Sequence, residues 1–207
     1  LWLDCLLAMP WNKLYRTEYA QQVSFDTQYT LGEDLQFVLD YIALLGSREP
    51  AFTYTVLTAP LTFYDCSRTD TLSTKYHANY CEIWPKHFAK LNAACTVAAC
   101  PPQDMLPLHR AELQVLAEGA ADILRRDPDT MPARRAKART ALQSPWLKSL
   151  LDTMRHEHCY SPYYLPCRWN SLRLLWMLSE AARTQSPLFG KLDWAGYYLL
   201  LGRMKRG

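Results

Sequence analysis

Three short segments hold the side chains best suited to chemistry. Gly32-Glu33-Asp34-Leu35-Gln36-Phe37 places two adjacent carboxylates directly after a glycine. Glycine permits a tight turn or a close ligand approach. The acids then fall in the first turn of a helix, whose positive end favours ionised carboxylates. An ionised carboxylate aimed into a cleft acts as a general base; the plain alternative is that Glu33 and Asp34 only complement the helix dipole. Pro10-Trp11-Asn12-Lys13-Leu14-Tyr15-Arg16 joins two broad aromatic faces to donors from Asn12, Lys13 and Arg16 that suit sugar hydroxyls or phosphate oxygens. It reads equally as an aromatic turn on the core with its cations in water. Thr71-Leu72-Ser73-Thr74 follows Arg68. Hydroxyls with a guanidinium can bind a diphosphate, and they can also simply cap the next helix.

Other polar clusters reach less far. The seven cysteines are odd in number and lack Cys-x-x-Cys spacing. That argues for free thiols in a reducing cytoplasm, against a disulfide framework or a structural zinc site. His156-Glu157-His158 sets its histidines two apart, so they do not face one metal from a helix. Asp127-Pro128-Asp129 follows Arg125-Arg126 at the end of a helical stretch and reads as a helix-ending turn. Arg134-Arg135-Ala136-Lys137-Ala138-Arg139 could touch phosphates or anionic lipid, although charge runs are more often solvated faces. His77 stands just after the Leu-Ser-Thr segment, where it could approach a metal or a diphosphate. No phosphate-cradling glycine loop occurs.

The elements that must position these residues follow from spacing. Leu35, Val38, Leu39, Ile42 and Leu45 form one helical stripe from Glu33 to Leu45, widened by Phe37, Tyr41 and Leu44. Gly46 stands where a helix terminator is expected. Residues 51–56 and 61–64 are aromatic and β-branched and read as strands. Helices are expected near 75–94, 106–126, 144–157, 168–184 and 191–205, with Pro85 kinking or shortening the first. The fold class is therefore α+β and predominantly α-helical. Residues 1–74 form part of a mixed α/β domain with few strands, and residues 75–207 a helical region.

Composition narrows the function classes. The 207 residues are 49% hydrophobic and 21% charged, as in globular proteins. A net charge of +3 gives no case for nucleic acid. Residues 1–60 hold seven acids against three bases, and residues 61–207 thirteen acids against twenty bases. No apolar run approaches the roughly 20 residues of a membrane-spanning helix. The segment from Trp194 to Arg206 has the makeup of an amphipathic surface helix, which with the basic run allows peripheral membrane contact.

Taken in order, Trp-Asn-Lys-Leu-Tyr-Arg, Phe25-Asp26, Gly-Glu-Asp-Leu-x-Phe, a tyrosine-rich strand pair and a Leu-Ser-Thr loop resemble the C-terminal half of family 2 glycosyltransferases. The likeness is to the branch that builds bacterial capsule and cell-surface polysaccharides, and it covers residues 8–76. It implies an A-type α/β fold and, for the full-length protein, transfer of a sugar from a nucleotide-sugar donor to the hydroxyl of a glycan or lipid-linked acceptor, usually with inversion. It makes Asp34 the base and Glu33 its support or an acceptor contact, with Trp11, Asn12, Lys13, Arg68, Ser73 and Thr74 on the substrate side. It implies a divalent metal, magnesium or manganese, held by an Asp-x-Asp motif upstream of the Trp-Asn-Lys segment, where this chain has none. Cys167-Arg168-Trp169 lacks the Gln-x-x that precedes Arg-Trp in processive members. The expectation is a cytoplasmic enzyme, with peripheral contact at the inner face of the membrane, of which this chain is the acceptor-side part and inactive alone. The competing expectation is a non-catalytic helical interaction module with a transferase remnant.

Overall fold

In the computed structural model, residues 9–27, 29, 31–49, 51–53, 55, 75–187, 189–193 and 195 are described. The apolar spacing is realised as helix throughout, and among the described residues no strand occurs. Contacts divide the chain into two units. One contains the described residues through Lys75 together with Lys86–Ala99, the other Tyr76–Pro85 and everything from Cys100 onward.

The first unit holds α1 (Thr17–Ala20), α2 (Glu33–Arg48) and the later part of α3 (Tyr80–Val97). α2 buries Leu35, Phe37, Val38, Leu39, Tyr41 and Leu45 as its periodicity requires. Aromatic rings organise its surface. Phe25 stacks on Phe37 at 4.5 Å, and Tyr15 meets Phe37 and Tyr41 edge-on at 5.6 and 4.7 Å. The Arg16 backbone N–H donates to the Tyr41 hydroxyl at 3.0 Å, and Tyr19 donates to Glu49 at 2.8 Å. Phe88 and Leu91 complete this core from α3.

The second unit is built on α4 (Pro102–Arg126), which packs against α5 (Met131–Leu142), α6 (Pro145–His156) and α8 (Leu172–Arg183), with the short α7 (Tyr164–Arg168) between α6 and α8. Leu113, Ala117, Ala120 and Ala121 of α4 are fully buried against Leu147, Met154, Tyr163 and Leu175. Gly119 admits Tyr80: a Cβ there would lie 2.6 Å from Tyr80 Cδ1. The buried Glu112 and the half-buried Glu118 are paired. Glu118 accepts from the Tyr163 hydroxyl and from Ser179 Oγ at 2.6 Å, and Arg125 donates to Ser179 at 2.8 Å and to Glu180 at 3.1 Å. Trp146 donates its indole N–H to the buried Glu112.

Helix starts use proline and serine. Pro102 and Pro145 open α4 and α6, and Ser144 and Ser171 cap α6 and α8 by accepting from Leu147 and Leu174 N–H groups. Helix ends are less usual. Ala99, His158, Asn170 and Gln185 take φ of 50–53°, the left-handed closure that glycine adopts at least cost. After α6, α7 and α8 the pair of reversed bonds is complete: Cys159, Ser171 and Ser186 N–H reach Met154, Pro166 and Ala181 carbonyls, while His158, Asn170 and Gln185 reach Arg155, Cys167 and Ala182.

Several expected boundaries are corrected. Residues 51–53 and 55 are not strand. The Phe52 N–H closes a turn onto the Glu49 carbonyl, and the ring of Phe52 lies where a Cβ on Gly46 would meet it at 3.5 Å. With that ring beside it, Gly46 lies inside α2, which continues to Arg48. The expected strand 61–64 lies outside the described residues. α3 begins at Tyr80 and runs through Pro85. α5 was not expected at all. The helix expected at 168–184 is α8, which starts later, at Leu172; the short α7 before it ends at Arg168, and the left-handed Asn170 lies between the two. The 191–205 helix is described only in part: 189–193 are helical.

Non-glycine residues in the left-handed region carry about 1–2 kcal/mol of strain, partly offset by glycine's greater freedom when unfolded. His158 is exposed, so His158→Gly is expected to gain about 0.5–1 kcal/mol and a few degrees in thermal midpoint. A circular-dichroism melt checks this, and a lower midpoint would show that the closure is unstrained.

Candidate functional site

The turn into α2 is the most tightly specified point of the first unit. Gly32 is its N-cap at φ +80°. The buried His87 of α3 presses on it: a Cβ at residue 32 would come within 2.3 Å of His87 Nε2. His87 Nε2 lies 2.9 Å from the Leu31 carbonyl, and Nδ1 meets the side-chain amide of the buried Gln36. Burial pushes the imidazole pKa down, so the ring is neutral at pH 7. A carbonyl partner at Nε2 requires the hydrogen there, which leaves Nδ1 to accept from Gln36. One histidine thus fixes both the loop before α2 and its first turn.

Glu33 and Asp34 ride on that turn, half-buried. Burial, and then the charge of Glu33, raise the Asp34 pKa above the ordinary carboxylate value. Tyr15 is close enough that Asp34 contributes to its shift. Its hydroxyl is pushed up to about 12 by burial first, then by Tyr41 and Asp34. That hydroxyl is buried and has no hydrogen-bond partner. Trp11 is 44% exposed. Lys13 donates to the Met9 carbonyl and to Asn12 Oδ1 at 2.6 Å, so these two expected substrate contacts hold each other, and burial lowers the Lys13 pKa. The structure therefore relates Asp34 to Tyr15, and Asn12 to Lys13. Arg68, Ser73 and Thr74 lie outside the described residues.

Sequence reasoning missed His87. The signal was available in its place on the apolar stripe of Ile83, Phe88 and Leu91, where an uncharged buried histidine fits. His77 belongs to the turn before α3, its carbonyl accepting from Tyr80 N–H at 3.1 Å.

The Asp127-Pro128-Asp129 segment ends α4 and is filled by protein groups. Asp127 accepts from Lys137 Nζ at 2.8 Å, from the Tyr76 hydroxyl at 2.6 Å and from Asp129 N–H at 2.9 Å. Lys137 also lies 2.9 Å from Asp129. The Lys137 bond foremost holds the Asp127 carboxyl down at about 2. An ammonium thus bridges the two carboxylates, which does not fit a divalent metal. Among the described residues no group of three or more His, Cys, Asp or Glu could hold a metal ion. Within the basic run, Arg134 donates to the Leu124, Arg125 and Asp129 carbonyls at the end of α4, so it and Lys137 are structural, while Arg135 and Arg139 are exposed. Cys81, Cys100, Cys159 and Cys167 are free thiols. Burial pushes Cys81 and Cys167 up to about 12 and Cys159 up to about 11. No helix among the described residues is long and apolar enough to cross a membrane.

Comparison with protein-family models, with curated proteins and with solved structures finds no match to this chain.

Two outcomes are expected. Gly32→Ala forces a left-handed alanine against His87 and should lose at least about 1–2 kcal/mol in urea denaturation. His87→Ala added to it should recover only the steric part. Asp127 has a folded pKa below its unfolded one, so its stabilisation is present above the unfolded value of about 3.9 and is lost as pH falls toward 2. Asp127→Asn should flatten the acid-unfolding profile in that window, and an unchanged profile would remove Asp127 from the cause.

Proposed function

We propose that this chain carries the acceptor side of a nucleotide-sugar-dependent glycosyltransferase of the A-type fold, with Asp34 as the general base. The observations that carry the reading are Asp34, half-buried and of raised pKa in the first turn of α2, and Tyr15, whose ring packs edge-on against Phe37 and Tyr41 of the same helix. Both belong to the segments whose order resembles the transferase family. A base whose pKa is raised toward the working pH accepts a proton with greater driving force while remaining ionised at neutrality.

In this mechanism an acceptor hydroxyl donates to the Asp34 carboxylate. As the oxygen bonds to the anomeric carbon, its proton passes to the Asp34 carboxylate. The bond from that carbon to the diphosphate breaks on the opposite face, and the electron pair leaves with the diphosphate. Glu33 contacts the acceptor beside Asp34. The exposed face of Trp11 offers a platform for a sugar ring, with Asn12 and Lys13 at its edge. The family's magnesium or manganese and the donor nucleotide would be held by residues other than those described, the metal offsetting the charge of the leaving diphosphate.

A second reading, a helical interaction module, draws on exposed large apolar side chains of the second unit, Trp169 at 64% and Met177 at 56%. Asp34 separates the two. In the protein expressed from its complete reading frame, Asp34→Asn is expected to lower kcat for sugar transfer by about 10²–10⁴-fold. Its thermal midpoint should hold or rise, because a desolvated charge is removed. The wild-type rate should fall as pH drops through the raised Asp34 pKa, where the carboxyl is protonated. Unchanged turnover in the variant would defeat the base assignment, and absence of transfer from any nucleotide-sugar would favour the interaction module.

A further inference from the structure

We propose that the outer face of α7 and the first half of α8 docks this protein peripherally on an anionic lipid surface. α7 is little more than one turn. The Trp169 N–H bonds the Leu165 carbonyl at 2.9 Å, so these two side chains are helical neighbours four residues apart. Leu165 is 49% exposed and Trp169 64%. α7 packs on α8, where Arg173, Trp176 and Met177 follow at helical spacing and are also exposed. A single exposed leucine means little. Two tryptophans with a leucine and a methionine on adjoining helices are a patch that calls for a partner.

Charge names the occupant. From Met131 to Ser179 the chain holds eight bases and two acids, and from His158 to Ser179 two arginines and no acid. Both acids are engaged, Glu157 with His109 at 2.9 Å and Asp152 with Arg168 at 3.8 Å. The Asp152 pair is exposed and long, so Arg168 keeps most of its charge for another anion. Glu180, the acid of α8, is held by Arg125 and Arg183. Arg173 is exposed and has no carboxylate within ion-pair distance among the described residues. Arginine lays its stem along apolar surface while its head reaches phosphate, and indole prefers headgroup depth. A protein partner would have to supply acids and pockets matched to these side chains. The interface of an anionic bilayer takes apolar tips without shaped pockets and holds cations by its surface potential. The sequence repeats this makeup further on: Tyr197, Tyr198 and Leu199 to Leu201 precede Arg203, Lys205 and Arg206, with no acid among them. The docking does not depend on the role of Asp34.

The intact protein is mixed with vesicles of phosphatidylcholine, with or without about 30% phosphatidylglycerol, and followed by co-sedimentation and by quenching of tryptophan fluorescence with brominated lipid. Binding to the anionic vesicles is expected to be about tenfold tighter than to the zwitterionic ones and to weaken as salt rises from about 0.1 to 0.5 M. Trp169→Ser should weaken it about tenfold and remove part of the quenching. Arg168→Gln with Arg173→Gln should remove the preference for anionic lipid, and Asp152→Asn should tighten binding. Circular dichroism should stay unchanged in all three, because these side chains are exposed. No binding to anionic vesicles, or binding indifferent to both the Trp169 and the double-arginine variants, would overturn the proposal. Equal affinity for soluble polyglutamate would show that charge alone is recognised and would overturn the lipid occupant. A dimer in solution that Trp169→Ser converts to a monomer would give the face to a second copy and overturn it as well.

Discussion

Close approach to α4 is the constraint on which the second unit depends. Ala117, Gly119, Ala120 and Ala121 give that helix almost no side-chain bulk, so its neighbours reach it at short range. The same closeness buries Glu112 and half-buries Glu118. A buried carboxylate without partners is strongly unfavourable, and the surrounding helices answer with Trp146, Tyr163 and Ser179. Arg125 then links Ser179 and Glu180, and its guanidinium lies 5.4 Å from the Trp176 ring. Apolar packing and polar pairing are thus one arrangement, because the small residues that allow the first create the need for the second.

The first unit meets a similar demand with one imidazole. His87 spends both ring nitrogens inside the protein, on Leu31 and Gln36, and so fixes a helix start that backbone bonds alone would leave to fray. The two acids after it inherit a defined direction. Their half-burial, beside Tyr15, turns an ordinary acidic first turn into a place where a carboxylate holds its charge less easily.

What was legible in the chain was the apolar period. The stripe of α2 and the existence of α3, α4, α6 and α8 follow from it. α5 escaped because Ala138 and Leu142 are its only buried positions; Arg134 and Lys137, tied to the end of α4, help anchor it. The helix ends escaped because glycine is the usual signal, and here Ala99, His158, Asn170 and Gln185 take its place. Residues 51–53 looked like strand from composition, yet Phe52 is needed over Gly46. Of the candidate site, Glu33 and Asp34 were readable from a glycine and a helix start. The burial of His87 was readable from its place on the α3 stripe, but its partners were not, since they lie more than fifty positions earlier and no spacing rule connects them.

That separation has an evolutionary consequence. Residue 32 cannot gain a side chain while residue 87 is a histidine, and losing the histidine strands the Gln36 amide and the Leu31 carbonyl. The four positions behave as one heritable unit scattered over two helices and a loop. In any set of related chains they should change together, and drift at one of them alone would mark lineages in which the α2 turn has been released from its present geometry.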